Sequence, residues 1–226
     1  MKTVRLVLWM LVIVMGAAVA GIYVGQTFIA QDNQAGAGTG AAGLASAFAR
    51  SRYEDAGGPF TLIGTDGDAV TEKDFRGKPL AIFFGFTHCP DVCPTSLLDA
   101  SGWLDALGED ADKMQFVFVS VDPERDTPEV LGQYVSAFDD RIIGLTASSQ
   151  EAVADVAERY RVYFEKVPLR EGDYTVNHTA DTLLFDADGE FSGFIPYMQP
   201  NIRLNEPVSA EATERTVETL RALVNS

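Results

Sequence analysis

The stretch FTHCPDVCPTSL, Phe86–Leu97, decides how this chain is read. It holds the only two cysteines, Cys89 and Cys93, four residues apart. The apolar run Leu80–Phe86 ahead of it has the pattern of a strand buried on both faces. Behind it, Leu97, Leu98, Leu104 and Leu107 recur at helical spacing as far as Gly108. A strand therefore runs into a sharp turn and a helix, with both thiols at the helix N-terminus. Residues i and i+4 of a helix share a face, and their Cα atoms, about 6 Å apart, lie within reach of a disulfide. The same spacing lets two thiolates converge on one metal ion. The positive end of the helix favours the thiolate that either role requires.

Working outward, Phe60–Ile63 and Ala69-Val70 flank the turn signal Thr65-Asp66-Gly67-Asp68 and read as a hairpin. Met114–Val121 is a second buried strand. Thr127, with Pro128 at the first helical position, opens a helix whose apolar face is Val130, Leu131, Tyr134, Val135 and Phe138. Ile142–Leu145 is a short strand. Ser148-Ser149-Gln150-Glu151 is a capping box, followed by Val153, Val156, Ala157 and Tyr160 at helical spacing. Val162–Lys166 and Tyr174–His178 read as a strand and part of a hairpin. Thr182–Phe185 and Phe191–Ile195 flank Asp186-Ala187-Asp188-Gly189, another hairpin, and Ala210–Val224 is an amphipathic helix. Helices alternate with strands, a hairpin closes the sheet, and a dithiol sits at the strand-to-helix turn. That order predicts an α/β, thioredoxin-like fold over residues 58–226.

The N-terminal part reads differently. Met1–Arg5 carries two positive charges, and Leu6–Ala30 then runs without any charge. That length spans a bilayer. Ala18-Val19-Ala20 offers a signal-peptidase site, but the apolar character continues through Gly21-Ile22-Tyr23-Val24, Phe28 and Ile29, which favours an uncleaved anchor over residues 1–31. Lys2 and Arg5 place the N-terminus in the cytoplasm and the C-terminal domain outside, as expected for a single-pass protein of a bacterial inner membrane with a periplasmic domain. Residues 32–57, rich in Gly and Ala, read as a flexible tether. All 33 carboxylates lie at or beyond Asp32, and the formal net charge is −16. Such a surface repels nucleic acid and is compatible with cationic metal donors or basic protein partners. A monomer is expected, since no apolar helix face is left over.

Sites in open α/β sheets form at the carboxyl ends of the parallel strands, here Phe86–Cys89 and Ser120–Asp122. The chain has two histidines, His88 and His178. The His88 side chain diverges from that of its neighbour Cys89. His178, at the entry to the Thr182–Phe185 strand, faces the dithiol helix in a thioredoxin-like fold and can complete a Cys₂His site; an ordinary loop histidine is the competing reading. Two thiolates and an imidazole suit Cu(I) and also hold Cu(II) or zinc, although a closed zinc site wants four protein ligands. A disulfide between Cys89 and Cys93 would withdraw both sulfurs and gate metal binding by redox state.

Three segments, GFTHCPDVCPTSL (Gly85–Leu97), VFVSVDPERDTPEVLGQY (Val117–Tyr134) and YTVNHTADTLLFDADG (Tyr174–Gly189), resemble the Sco/SenC family. The resemblance runs from about Gly58 to the C-terminus and implies a membrane-anchored, thioredoxin-like copper chaperone that helps build the CuA centre of cytochrome c oxidase. It makes Cys89, Cys93 and His178 the copper ligands and brings Asp122 near the site, as a supporting or partner-contacting residue or as a plain turn residue. It implies three partners: the CuA-bearing oxidase subunit, a periplasmic copper donor, and a protein that reduces the thiols. One departure is Asn177, where family members often carry Asp. The alternative is a thiol–disulfide oxidoreductase that reduces the CuA-site cysteines; as a chaperone the protein is not an enzyme in the usual sense.

Overall fold

The computed structural model describes residues 51–197 and 210–225. The expected anchor and most of the tether lie outside the described residues. Among the described residues, no helix is long and apolar enough to cross a membrane. The packed unit begins ahead of the expected Gly58: Tyr53 and Ala56 are already buried, Tyr53 against the rings of Phe191 and Phe194. Its hydroxyl donates to Asp181 at 2.7 Å. An aromatic ring at the end of a Gly/Ala-rich segment gains more from burial than the small residues before it.

Seven strands form one sheet. The hairpin β1 (Thr61–Gly64) and β2 (Ala69–Thr71) lies at one edge. β3 (Leu80–Gly85), β4 (Gln115–Ser120) and β5 (Ile142–Thr146) run parallel in the middle. β8 (Thr182–Phe185) and β9 (Phe191–Ile195) close the other edge as an antiparallel hairpin. The order is β2-β1-β5-β4-β3-β8-β9. Every residue of β3 is buried, as its unbroken apolar run requires of a central strand covered on both faces. Apart from this sheet, β6 (Phe164–Pro168) and β7 (Tyr174–His178) form a two-stranded antiparallel hairpin of their own.

The helices are α1 (Val92–Leu107), α2 (Pro128–Ser136), α3 (Gln150–Arg159) and α4 (Ala210–Val224). Thr127 and Ser149 cap α2 and α3, each hydroxyl accepting from a backbone N–H of the first turn. The cap of α3 is thus Ser149, one residue later than a Ser148–Glu151 box requires. The inward stripe of α1 is Cys93, Leu97, Ala100, Leu104 and Leu107, supplemented by Ser96 and Trp103. Leu98 and Val130, expected to face inward, are 62% and 40% exposed. Each is next in sequence to a fully buried leucine, Leu97 or Leu131, and so is turned about 100° away from it around the helix.

Candidate metal centre

The site sits where β3 ends. Phe86 O accepts from Cys89 N at 3.2 Å, closing a turn through Thr87 and His88. Cys89 precedes the helix instead of lying on it, because a residue before proline is pushed out of helical conformation, and Pro90 follows. Helix α1 starts at Val92, which puts Cys93 in its first turn; Pro94 is tolerated there because early helical N–H groups have no intrahelical acceptor. The Asp91 side chain makes no capping bond. In its stead the Cys93 N–H donates to Cys89 Sγ at 3.4 Å. One cysteine thus receives the positive end of the helix that carries the other.

Both cysteines are free thiols. Cys93 is fully buried, Cys89 half-buried. Hydrogen bonding from the Cys93 side chain, with the backbone of Asp91 and Cys93 adding to it, lowers the Cys89 thiol to about 4 against opposing burial. Burial and the neighbouring Cys89 thiolate push Cys93 upward, so it keeps its proton. Cys89 is therefore the accessible thiolate, Cys93 the buried thiol.

His178, the last residue of β7, completes the cluster. Its Nε2 lies 3.4 Å from Cys93 Sγ. Its Nδ1 lies 2.9 Å from Thr179 O, which can only accept, so in the neutral ring Nδ1 carries the hydrogen and Nε2 turns its lone pair to the sulfurs. Phe83 and Phe86 meet the imidazole edge-on, with centroids 6.0 and 5.8 Å away. The ligand atoms of Cys89, Cys93 and His178 all lie within 4.8 Å of one another. Among the described residues this is the one such group of three. The donors are soft sulfur and borderline nitrogen, a set that fits copper, and among the described residues no fourth His, Cys, Asp or Glu joins them to close a zinc tetrahedron.

His88 is exposed, its Nδ1 against the Thr87 hydroxyl, and it stays outside the cluster. Asn177 is also exposed, on the face of β7 opposite His178 by strand alternation. Asp122 is fully buried, bonded to Arg125 Nε and, at 2.7 Å, to the Tyr174 hydroxyl. The cluster of three does not include it.

The sequence reading missed two further residues. Asp126, fully buried, accepts from the Thr87 N–H at 3.0 Å, the Thr87 hydroxyl at 2.6 Å and the Ser120 hydroxyl at 2.6 Å, so it ties the cysteine turn to the end of β4. Gly85 makes room for a ligand: a Cβ there would stand 2.8 Å from Cys93 Sγ. A glycine in an otherwise fully apolar strand is the signal for such a close approach, and it was readable.

Fold and site together define a thioredoxin-like protein with a free dithiol and a histidine gathered into a three-donor cluster of the kind that holds a metal ion. The chain belongs to the SCO1/SenC family, which it matches over residues 49–213. The mitochondrial SCO1 homologue of Homo sapiens is 42% identical over 161 residues, 70% of this chain and 52% of the relative. SCO1 homologue 1 of Arabidopsis thaliana is 43% identical over 61% of this chain and 41% of its own length. The match thus spans about half of these curated relatives. Among solved structures, copper-bound ScoI of Bradyrhizobium japonicum is 45% identical with a TM-score of 0.64, covering 74% of this chain and 99% of that one. Copper-bound yeast Sco1 is 34% identical with a TM-score of 0.65, covering 76% and 90%.

Proposed function

We propose that this protein is a copper chaperone for cytochrome c oxidase assembly. It binds one copper ion, as Cu(I) or Cu(II), through Cys89, Cys93 and His178 and passes it to the CuA-bearing subunit. The observation that carries this is the convergence of the two sulfurs and the imidazole Nε2 within 4.8 Å, with the ring's other nitrogen already engaged by Thr179. The copper-bound relatives support it. Three ligands leave a side of the ion open for a target ligand to enter as one of these leaves. The uncharged run Leu6–Ala30 supports a single-pass anchor in a bacterial inner membrane, with the domain that is packed from Tyr53 onward on a tether in the periplasm as a monomer. A periplasmic copper donor and a thiol-reducing protein complete the cycle.

The test is an anaerobic Cu(I) titration of the reduced protein beside His178→Ala. One tightly held copper in the wild type, weakened in the variant, is expected. Equal affinity would remove His178 from the site, and absence of binding in the wild type would end the chaperone reading.

The asymmetry of the two thiols favours one second reading, reduction of the CuA-site disulfide. The Cys89 thiolate would attack one target sulfur and release the other as a thiolate, which takes a proton. Cys93, giving up its own proton, would then displace the first target sulfur. The target leaves with two thiols, and Cys89 and Cys93 leave as a disulfide. His178→Ala would spare this exchange while weakening copper binding. Function in cells carrying that variant therefore separates the two readings.

A further inference from the structure

His178 stands on a hairpin that shares no strand pairing with the main sheet, so its place over the sulfurs depends on other contacts. The turn between β4 and α2 supplies them. Arg125 Nε donates to the buried Asp122 carboxylate. Its Nη1 donates to Tyr174 O at 3.0 Å and reaches Asp173 at 3.4 Å. The guanidinium lies 3.8 Å from the centroid of the Tyr174 ring and 5.9 Å from that of Phe86. These rings belong to the two halves of the site: Phe86 leads into the cysteine turn, and Tyr174 opens the strand that ends in His178. Asp122 closes the arrangement by accepting from the Tyr174 hydroxyl. On β6, Lys166 pairs with Glu124 at 2.8 Å and lies 4.6 Å from the Tyr174 ring.

We propose that Arg125 is a positioning residue for copper binding: it docks the His178 hairpin onto the cysteine turn and so fixes the distance from imidazole to sulfur. The proposal rests on the three-ligand reading above. A planar fork is needed, because one side chain must bond a carboxylate and a carbonyl while stacking on an aromatic face. Lysine would keep the charge and lose the geometry.

The experiment is a double-mutant cycle on the full reduced chain: wild type, Arg125→Met, His178→Ala and the double variant. Cu(I) affinity is read by competition with a chelator, and Cys89 reactivity by exchange with a small disulfide. Arg125→Met is expected to weaken copper about 10–100-fold, the usual cost of losing a group that orients a metal ligand. In the His178→Ala background the same change should alter affinity by no more than about 2-fold, because Arg125 acts through the histidine. Exchange at Cys89 should stay near the wild-type rate, and Arg125→Lys should fall between wild type and Arg125→Met. Equal weakening in both backgrounds would mean that Arg125 supports the cysteines or the whole fold, and would overturn the proposal. So would wild-type affinity in Arg125→Met beside a weakened His178→Ala. Wild-type affinity in His178→Ala is a different failure, that of the three-ligand reading. If circular dichroism shows Arg125→Met unfolded, Tyr174→Phe, which deletes only the hydroxyl bond to Asp122, goes through the same cycle with the same sign and a smaller loss expected.

Discussion

Replacing Gly85 by alanine tests whether the end of β3 is shaped around a ligand. The added Cβ would stand 2.8 Å from Cys93 Sγ, 2.8 Å from Phe118 Cε2 and 3.0 Å from Phe118 Cζ. Non-bonded carbons rest at about 3.5–4.0 Å, so something must move by about 1 Å. Neither neighbour is free to do so. Phe118 and Cys93 are both fully buried, and Gly85 is held in register opposite Ser120. Overpacking of this kind costs about 1–3 kcal/mol, and for a domain of this size each kcal/mol lowers Tm by about 2–4 °C. A fall of about 2–12 °C in the reduced, metal-free protein follows from those two figures. If the sulfur gives way, copper affinity drops as well, by about tenfold or more, as when a ligand loses its supporting group. Gly102→Ala is the control. Gly102 is exposed on α1, the helix that carries Cys93, and a Cβ there meets nothing within 4 Å. That change should stabilise by about 0.5–1 kcal/mol through helix propensity and leave copper untouched. Calorimetry and chelator competition on both variants decide the matter. Wild-type Tm and wild-type copper affinity in Gly85→Ala would refute the reasoning, since one of the two contacts must then have yielded at no cost.

Removing Asp126 as Asp126→Ala would orphan three donors, Thr87 N, Thr87 Oγ1 and Ser120 Oγ, and should cost at least about 3 kcal/mol in urea unfolding; a loss below 1 kcal/mol would mean that the cysteine turn is fastened elsewhere. The lowered Cys89 thiol and raised Cys93 thiol predict that iodoacetamide modifies Cys89 alone, at a rate nearly flat from about pH 6 upward; a rate still rising through pH 8–9 would contradict a thiolate at about 4. By linkage the same pair makes stability pH-dependent. The Cys89 contribution is complete above the ordinary thiol value near 9 and is lost as pH falls toward 4, while the raised Cys93 withdraws stability as pH climbs past 9. Cys89→Ser should flatten the lower limb in denaturant titrations across that range. At the surface, the Arg141 guanidinium holds Asp139 at about 2, so its contribution persists down to the ordinary carboxylate range and fades toward pH 2; Asp139→Asn should lower stability at pH 7 and remove that part of the acid transition.

The fold was legible where one local rule acts alone. Turn chemistry marked both main-sheet hairpins, Thr127-Pro128 marked the start of α2, and the unbroken apolar run marked β3 as central. Errors arose where two rules compete. Cys89 and Cys93 have i, i+4 spacing, but Pro90 keeps Cys89 off the helix, so the sulfurs meet through a turn and a helix end. The candidate donor set was legible because only four residues in the chain are Cys or His, and the three that the structure brings together come from two segments far apart in sequence. What holds those segments together was not. Asp122, Arg125 and Asp126 look like one acidic turn with an arginine in it, and only the tertiary structure shows that Asp126 bonds toward the cysteines while Asp122 and Arg125 bond toward the histidine.

That division of labour within one turn bears on how a metal could be both held and released. The cysteine side is fixed twice, by backbone pairing of β3 with β4 and by the Asp126 bonds to Thr87. The histidine side is fixed by side-chain bonds, ring stacking and packing of the buried Val176, with no strand pairing to the main sheet. Elements held by fewer backbone bonds open at lower free energy. Under the proposed three-ligand reading, loss of the imidazole would be the easier first step and would leave copper on two sulfurs, of which only Cys89 is open to solvent. An incoming target ligand would therefore approach from the Cys89 side and replace His178 first. Hydrogen exchange on the metal-free protein checks the ordering: the amides of β6 and β7 should exchange faster than those of β3 and β4. Equal protection of the two would remove the basis for a histidine-first release.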